Sequence, residues 1–340
     1  MNRRSEPTLA DVAQEAGVSL TTVSRVLNDR GYLSQATKDK VAEAIRVLGY
    51  RPNQVARALH GKSTQTIGLI VPTVSLPFFG ELTVEIENAL ADHGYRILIC
   101  NSLGRSDRER EYLDLLVGNR VDGIIAGAHN EDLDEYDSIR MPIVTIDRAL
   151  SPRITNIRCN NEEGGRMATR RLLERGARRP ALLTSRSHPQ NLRERGYRRV
   201  LAEAGIEPIV LEVPFHTPIA ERPALVAERL DGAADMIDAV FATDDLAAAE
   251  VLEWARQRDI EVPRDLRVIG FDGTTALRRA LPGLTTIRQP LDKMARAAVD
   301  VLLERIAAPR SPIDADGAGA DDAGARTIEF PVTLLEGWTA

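Results

Sequence analysis

Apolar residues recur at helical spacing through the first fifty positions of the chain. The pattern predicts one helix that Thr8 caps and Gly17 ends, a second helix that Ser19 caps, and a third that runs from a Ser34 cap to Gly49. Two short helices joined by a tight turn, with a third packed on them, make a three-helix head.

The second predicted helix has a polar outer face. Its apolar residues Val23, Val26 and Leu27 turn inward, which leaves outside Thr21, Thr22, Ser24, Arg25 and Asn28. Hydroxyl and amide groups bond phosphates or base edges, and arginine reads guanine in the major groove. The face is therefore a candidate DNA contact. A helical hairpin that only packs, with solvated charges outside, is the alternative.

The distribution of charge favours DNA. Residues 1–62 carry seven Arg and three Lys against six acidic residues, whereas the whole chain has a net charge of -6. A basic head on an acidic body concentrates the attraction for polyanions in the head.

From Thr66 onward, short β-branched runs alternate with helical stretches, which predicts parallel sheets covered by helices on both faces. The predicted strands are 66–71, 95–100, 121–126, 142–146, 181–184, 239–242, 268–271 and a last strand at 327–335, and the predicted helices are 78–93, 108–119, 162–175, 192–204 and 245–258. The alternation forms two blocks of domain size, so two lobes with a cleft between them are expected.

Three acids directly follow predicted strands: Asp147, Asp244 and Asp272. Ligands of open α/β sheets bind outside the carboxyl ends of the strands, and carboxylates accept hydrogen bonds from hydroxyl groups. Arg148 and Arg193 can donate hydrogen bonds and offset the charge. Together these residues indicate a polyol site. Taken singly, an Asp at such a position is often only a helix cap.

Aromatic residues complete the candidate site, with Phe78, Phe79 and Phe215 as apolar faces for the C–H side of a sugar. Taken alone, each of them is more often an ordinary core residue.

The segments AGVSLTTVSRVLN (16–28) and YRPNQVARALHGKST (50–64) resemble the head of the lactose-repressor (LacI/GalR) family of bacterial transcription regulators. The resemblance implies a homodimer on a pseudo-palindromic double-stranded operator. It implies that Leu20, Thr21 and Arg25 approach base edges, and that Thr8, Thr22, Ser24 and Asn28 hold phosphates. For Leu20 the alternative is a residue that closes the core of the head.

The resemblance also implies a hinge helix over residues 53–59, which is too short to be stable alone. It would pair with its twin in the dimer and enter the minor groove, with Leu59 as an apolar wedge and Ala56 allowing close approach. Asn53 and Arg57 would lie beside the backbone or the groove floor. A flexible linker is the alternative.

Five further segments resemble the effector cleft of the same family and the periplasmic ribose-binding proteins: TIDR (145–148), RERGY (193–197), FATDD (241–245), GFDG (270–273) and TTIRQP (285–290). The implied fold is an all-α helix-turn-helix head followed by an α/β two-lobed, periplasmic-binding-protein-like core of two Rossmann-like parallel-sheet subdomains. The implied effector-binding residues are Phe78, Phe79, Asp147, Arg148, Arg193, Phe215, Asp244, Asp272 and Gln289.

The expected division of the chain follows from these segments. The DNA-binding domain covers 1–50, the hinge and linker 51–63, and the core 64–340. Within the core, the first subdomain takes about 64–161 plus 290–325 and the second about 162–289 plus 326–340. Residues 311–325, rich in Gly, Ala and Asp, are expected to be a disordered loop.

The effector class is narrowed by departures from the ribose-binding pattern. Leu76 and Pro77 stand where ribose binders carry Asn, and Asp244 stands where many relatives carry Asn. The segments VDGIIAGAHN and FATDDLAA look most like sucrose repressors of the family, with ribose repressors next. A sucrose- or fructose-related effector is favoured. Ribose is one alternative. A phosphorylated sugar is the other, and Arg148, Arg193 or His129 could bind its phosphate.

Other classes of protein are disfavoured. No phosphate-cradling glycine motif, nucleophile elbow or metal-ligand spacing is present, so neither catalysis nor a cofactor is expected. Cys100 and Cys159 are expected to be free, buried thiols. Without an apolar signal region or a membrane-length apolar run, a cytoplasmic protein is expected. A sugar-binding transport component would have no use for residues 8–62.

Overall fold

The computed structural model describes residues 7–27, 31–50, 63–127, 133–308 and 326–340. They form two compact units, Met1–Thr64 and Gln65–Ala340. The first unit contains helices α1 (Leu9–Ala16), α2 (Leu20–Leu27) and α3 (Gln35–Leu48). Calls that fall on residues 28, 53–59, 129 and 311–325 lie outside the described part of the chain.

Local sequence signals set the ends of these helices. The Thr8 side chain accepts a hydrogen bond from the Asp11 backbone N–H, and the Asp11 carboxylate accepts one from the Thr8 backbone N–H at 2.7 Å, which confirms the capping box. Gly17 and Gly49 both close helices in the left-handed conformation that glycine tolerates, each at φ 62°. Ser34 caps α3 as predicted. The three-helix head is thus confirmed.

The core of the head is small and apolar. Its fully buried residues are Val12, Ala13, Val23, Val41 and Ala44, with partly buried aliphatic residues around them. Burial of apolar surface, which contributes about 25 cal/mol per Å², is the main force that holds so short a unit together.

The second unit contains, in chain order, β1 (Thr66–Val71), α4 (Pro77–Ala91), β2 (Arg96–Asn101), α5 (Ser106–Gly118), β3 (Gly123–Ala126), α6 (Glu135–Ser138), β4 (Ile143–Ile146), β5 (Thr155–Cys159), α7 (Asn161–Glu174), β6 (Pro180–Thr184), α8 (Leu192–Ala204), β7 (Ile209–Glu212), α9 (Arg222–Asp231), β8 (Ala239–Ala242), α10 (Asp245–Gln257), β9 (Arg267–Asp272), α11 (Thr275–Ala280), β10 (Thr285–Arg288), α12 (Leu291–Ala307), β11 (Thr327–Phe330) and β12 (Thr333–Leu335).

These strands form two six-stranded sheets, one in each lobe. The first has the order β11-β5-β4-β3-β1-β2, and its strand pairs are parallel. The second has the order β12-β10-β9-β8-β6-β7 and is parallel except for the antiparallel pair β10–β12. The two-lobed parallel α/β core is confirmed, and it sets the carboxyl ends of both sheets at one cleft.

The predicted last strand at 327–335 is wrong as a single element. Pro331, which has no N–H to donate to a ladder, lies between two short strands that belong to different sheets. Strand β11 pairs with β5 in the first sheet, so the chain enters the second lobe after Phe330 and not at 326. The expected boundary between the subdomains moves accordingly.

Strands β5, β7 and β10 are absent from the prediction. Their sequences, TNIRC, IVLE and TTIR, are four or five residues long and mix polar with apolar residues. Pairing with neighbours makes them strands, which a local pattern does not reveal.

Candidate functional site

A cavity of about 980 Å³ lies between the lobes, at the carboxyl ends of the strands. Of the predicted effector residues, it is lined by Phe78, Phe79, Asp147, Arg148, Arg193, Phe215, Asp244 and Asp272. Gln289 lies behind this wall, only 2% exposed, and its side-chain amide donates to Asp272 Oδ1 at 2.8 Å. The amide therefore orients a carboxylate of the wall.

Arg193, at the start of α8, is the centre of the polar cluster. Its Nε donates to Asn161 Oδ1 at 2.7 Å and its Nη1 donates to the Thr243 carbonyl. Asp272 Oδ1 lies 3.6 Å from Nη1, and Asp147 Oδ1 lies 4.0 Å from Nη2. Asp147 follows β4 of the first lobe, whereas Arg193 and Asp272 belong to the second. One guanidinium thus interacts with carboxylates of both lobes.

The ring of Phe271 supports the same guanidinium, with Arg193 Cζ 3.8 Å from the ring centroid. Stacking on an aromatic face fixes the plane of a guanidinium without using its donors. The side chain is therefore preorganised by contacts on several sides, which lowers the ordering cost of binding a ligand.

Asp147 and Asp272 both have the left-handed backbone that non-glycine residues rarely adopt, with φ 69° and 101°. Such residues cost about 1–3 kcal/mol and occur mainly at functional sites. Asn161 Nδ2 donates to Asp147 Oδ1 at 3.1 Å and so helps to hold this carboxylate. The strained turns aim both acids into the cleft.

The electrostatics of Asp272 reflect its surroundings. Burial raises the pKa of this carboxyl well above its ordinary value, Arg193 opposes the rise, and the neighbouring Asp245 and Asp244 add to it. A carboxyl with a raised pKa holds its proton more readily, and in that form it can both donate to and accept from uncharged hydroxyl groups.

Asp244 is a helix cap, as its position after a strand suggested. Its Oδ1 accepts a hydrogen bond from Ala247 N at 2.8 Å at the start of α10. It also lines the cavity. The next residue, Asp245, is buried and is bonded to Gly273 N at 2.8 Å and to the Thr286 hydroxyl at 2.5 Å. These bonds tie α10 to Gly273, directly after Asp272 at the end of β9, and to β10. The sequence prediction gave Asp245 no role.

The buried Asp245 predicts a specific pH dependence of stability. Burial raises its pKa to about 7, against hydrogen bonds from Thr286 and Gly273 that lower it. Between the ordinary value of about 3.9 and 7, the folded chain keeps a proton that the unfolded chain has lost, so the stabilisation is complete below that window and is lost as the pH rises through it.

The substitution Asp245→Asn imitates the protonated acid, because its amide can donate to the Thr286 hydroxyl and its oxygen can accept from Gly273 N. From pH 5 to 7 the wild type should lose unfolding free energy relative to this variant by on the order of 1 kcal/mol per pH unit. Urea unfolding at three pH values measures the difference. A difference that does not change with pH would contradict the assignment.

The apolar wall of the cavity contains aromatic residues that are also core residues. Phe78 and Phe79 at the start of α4 are almost buried and pack edge to face, with ring centroids 4.9 Å apart. The half-buried Phe215 of the second lobe lies beside Gly104 of the first lobe, where a Cβ would come 3.2 Å from the Phe215 ring. A larger residue than glycine would be crowded at this contact between the lobes.

The close approach of α7 and α8 positions both Asn161 and Arg193. A Cβ on Gly165 would lie 2.2 Å from the Arg193 carbonyl oxygen, and one on Gly196 would lie 2.1 Å from the Glu162 carbonyl oxygen. Only glycine lets the two backbones approach to this distance. The RERGY segment was predicted for its arginine, and Gly196 within it has a packing role.

The substitution Gly165→Ala is therefore expected to lower the free energy of unfolding by about 1–3 kcal/mol and to move Arg193, because backbone atoms must shift. Chemical denaturation measures the loss. Gly118→Ala at the end of α5 is the matched control, since nothing lies within 4 Å of its Cβ position, and it should be neutral or slightly stabilising. Equal stability of the two variants would contradict the close-packing argument.

The head presents its predicted contact residues unequally. Leu20 is 51% exposed and is not part of the head core, which argues against its core interpretation. Thr21 and Arg25 are also exposed. The Thr22 hydroxyl shares a hydrogen bond with Ser19 at 2.8 Å, and Thr8 is engaged in its capping box. The roles of these residues at DNA remain predictions, as do those of Ser24 and the positions outside the described residues.

Two further features of the described residues are their potential metal ligands and their thiols. Within the described ranges, no group of three or more His, Cys, Asp or Glu side chains could hold a metal ion. Cys100 and Cys159 are free and buried, as predicted, and burial raises the pKa of both thiols, that of Cys100 to about 11. Across the described ranges, no helix is both long and apolar enough to cross a membrane.

Comparison with known families agrees with this architecture. Residues 8–53 match the model of bacterial regulatory proteins of the lacI family, and residues 169–316 match a periplasmic binding protein-like domain. The sucrose operon repressor of Pediococcus pentosaceus is 41% identical over 98% of this chain and 100% of its own length. The ribose operon repressor of Bacillus subtilis (strain 168) is 35% identical over 87% of this chain and 90% of its own.

Two solved structures cover nearly the whole chain. A lac repressor dimer bound to operator and the anti-inducer ONPF has a TM-score of 0.79 at 25% identity, over 98% of this chain and 99% of that one. A complex of the transcriptional regulator CelR with cellobiose has a TM-score of 0.66 at 28% identity, over 98% and 100%. The chain belongs to the lacI family of bacterial regulatory proteins and is a DNA-binding transcription regulator.

Proposed function

We propose that this regulator represses genes for sucrose utilisation and that a sucrose-related sugar, bound between the lobes, releases it from its operator. The observation that carries the proposal is the Arg193 guanidinium, held between Asp147 of one lobe and Asp272 of the other. The chain is 40–42% identical to sucrose operon repressors, and this similarity supports the choice of sugar.

The chemistry of the cleft favours a neutral polyol. Carboxylates accept from sugar hydroxyls, the guanidinium donates to hydroxyl or ring oxygens, and Phe78, Phe79 and Phe215 offer apolar surface to the C–H face. Arg193 is already engaged by carboxyl, amide and carbonyl oxygens, so a phosphate would have to compete for it beside several acids.

Free ribose is a weaker candidate. Leu76 and Pro77 line the cavity with apolar atoms at positions where the resemblance to ribose-binding proteins implies Asn. The wall there gains apolar surface and loses a side-chain amide, which favours a larger and less uniformly polar ligand.

We also propose that the regulator acts as a homodimer in the cytoplasm, on nucleoid DNA. Exposed apolar residues on and next to the edge of the first sheet suit a second copy: they are Leu98 and Ile99 on the edge strand β2 and Val84 on α4, which packs against β2. Exposed apolar clusters at a sheet edge are usually covered in the assembled protein.

The proposed coupling runs from the cleft to the hinge. Sugar that favours one relative position of the lobes changes the dimer contacts of the first lobe, and residues 53–59 then pair or separate in the minor groove. DNA affinity and sugar affinity change each other reciprocally, by typically 1–3 kcal/mol. Asn53, Ala56, Arg57 and Leu59 are the proposed minor-groove residues, and Asn28 joins the proposed phosphate contacts.

A thermal-shift screen of the full chain tests the effector. A ligand that binds only the folded state raises the melting temperature with its concentration. Sucrose or fructose should raise it more than ribose or the phosphates of these sugars at equal concentration. A larger shift with ribose or with a sugar phosphate would contradict the proposed effector.

A further inference from the structure

The cavity extends well beyond the Arg193 cluster. Its far wall consists of one stripe of α10 and a facing part of α9, helices that pack against each other in the second lobe. The α10 stripe recurs at spacings of three and one, which places it on a single helical face: Leu246, Ala249, Glu250, Glu253, Trp254 and Gln257. We call this extension, completed by Arg222, Pro223 and Ala227 of α9, the outer groove.

The outer groove has its own polar centre. Arg222 Nε donates to both carboxylate oxygens of Glu250, at 3.1 and 3.0 Å, and the two side chains are only 21% and 20% exposed. The pair uses Nε of the guanidinium, and among the described residues the two terminal nitrogens donate no hydrogen bond to a protein acceptor, so they are available to a ligand in the cavity that Arg222 lines. Donor and acceptor atoms stand side by side, as the vicinal hydroxyls of a sugar require.

The charged side chains of the groove are balanced by their own partners. Glu250 neutralises Arg222, and Glu253 is paired with Arg256 at 2.7 Å. A groove without net charge favours a neutral occupant. Burial raises the pKa of Glu250, in agreement with its partly desolvated position. The apolar atoms of Ala227, Leu246 and Pro223, with the 84% exposed Ile219 at the rim, complement the C–H groups of a sugar ring.

The size of the cavity points the same way. About 980 Å³ lies at the upper end of the roughly 300–1,000 Å³ of ligand pockets, and the residues of the Arg193 cluster are only part of its lining. The outer groove is continuous with that cluster, so a single molecule can reach both.

We infer that the outer groove between α9 and α10 is a second sugar subsite, so that the effector is a neutral disaccharide with one ring at Arg193 and the other at Arg222 and Glu250. The inference rests on the proposed function and specifies its ligand. It makes Ala249 and Ala227, whose small side chains leave room for the second ring, determinants of effector size.

Isothermal titration of the full chain with sucrose, fructose and glucose tests the inference. The wild type should bind sucrose at least ~10-fold more tightly than either monosaccharide. Ala249→Trp fills the groove and should weaken sucrose binding by at least ~10-fold while it leaves fructose binding within about twofold. Ala227→Trp fills it from the opposite wall and should do the same.

The matched control is Ala202→Trp, an exposed position on α8 outside the cavity, which should bind all three sugars as the wild type does. Unchanged sucrose binding in both groove variants, or equal affinity of the wild type for sucrose and fructose, would overturn the second subsite but leave the proposed function standing. Absence of binding to any of the three sugars by the wild type would overturn both.

Discussion

Arg193→Ala should abolish the response to the effector while leaving operator affinity in the absence of sugar unchanged. The substitution removes the charge that Asp147 and Asp272 share and the donors to Asn161 and the Thr243 carbonyl. The alanine also removes the charge-assisted hydrogen bonds that the guanidinium would donate to the sugar, which contribute about 1.5–3 kcal/mol each, so sugar affinity should fall by about 10- to 150-fold. Calorimetry with sucrose measures the affinity, and a gel shift without sugar measures DNA binding.

Arg199→Ala is the matched control. This arginine lies on the same helix, its side chain is 58% exposed, and it is not part of the cavity wall. It should keep wild-type sugar affinity. Asp272→Ala should also lose the response. If Arg193→Ala kept sugar affinity within about threefold of the wild type, the cleft would not be the effector site.

Arg25→Ala should remove operator selection and leave sugar binding intact. Arg25 is exposed near the end of α2, where a side chain can reach a base edge of the major groove. A bidentate base contact contributes about 1–3 kcal/mol of discrimination, so preference for the operator over unrelated DNA should fall by about 5- to 150-fold. Competition gel shifts give the ratio, and calorimetry with sucrose checks the core.

Arg46→Ala controls for charge in the same unit. Its guanidinium is bound by Glu43 at 2.5 and 2.9 Å, on α3 and away from α2, so its removal should change specificity little. A footprint in which Arg25→Ala protected the same operator with the same selectivity would refute the base contact.

The parts of the fold that were predictable are those with strong local signals. A capping side chain or a left-handed glycine acts within a few residues, which is why the ends at Thr8, Gly17 and Gly49 were correct. Strands such as β1 (TIGLIV) and β8 (AVFA) are short, largely apolar sequences, and their prediction matched residue for residue.

Other features depend on partners that are distant in sequence. Strand β5 exists because β4 and β11 flank it, and the split of the last strand depends on which sheet each half joins. The glycine contact between α7 and α8 follows from how closely two helices pack, which neither helix reveals alone. Asn161 was not predicted as a site residue because it lies just after β5, a strand that was itself not predicted.

Within the candidate site, the sequence pattern located acids and an arginine but not their roles. Asp147 and Asp272 approach Arg193, whereas Asp244 caps the N-terminus of α10. Gln289 orients Asp272 from behind the wall. These distinctions arise from side-chain directions after strand ends, which composition and spacing leave open.

The most direct test of sugar-controlled DNA binding is a titration of the protein–operator complex with sucrose, followed by fluorescence anisotropy of a labelled operator. The wild type should release the operator as sucrose increases, with a midpoint that Arg193→Ala shifts by at least about 10-fold and Arg199→Ala does not shift. An anisotropy that stays constant through saturating sucrose, or that falls equally for Arg193→Ala, would contradict the account.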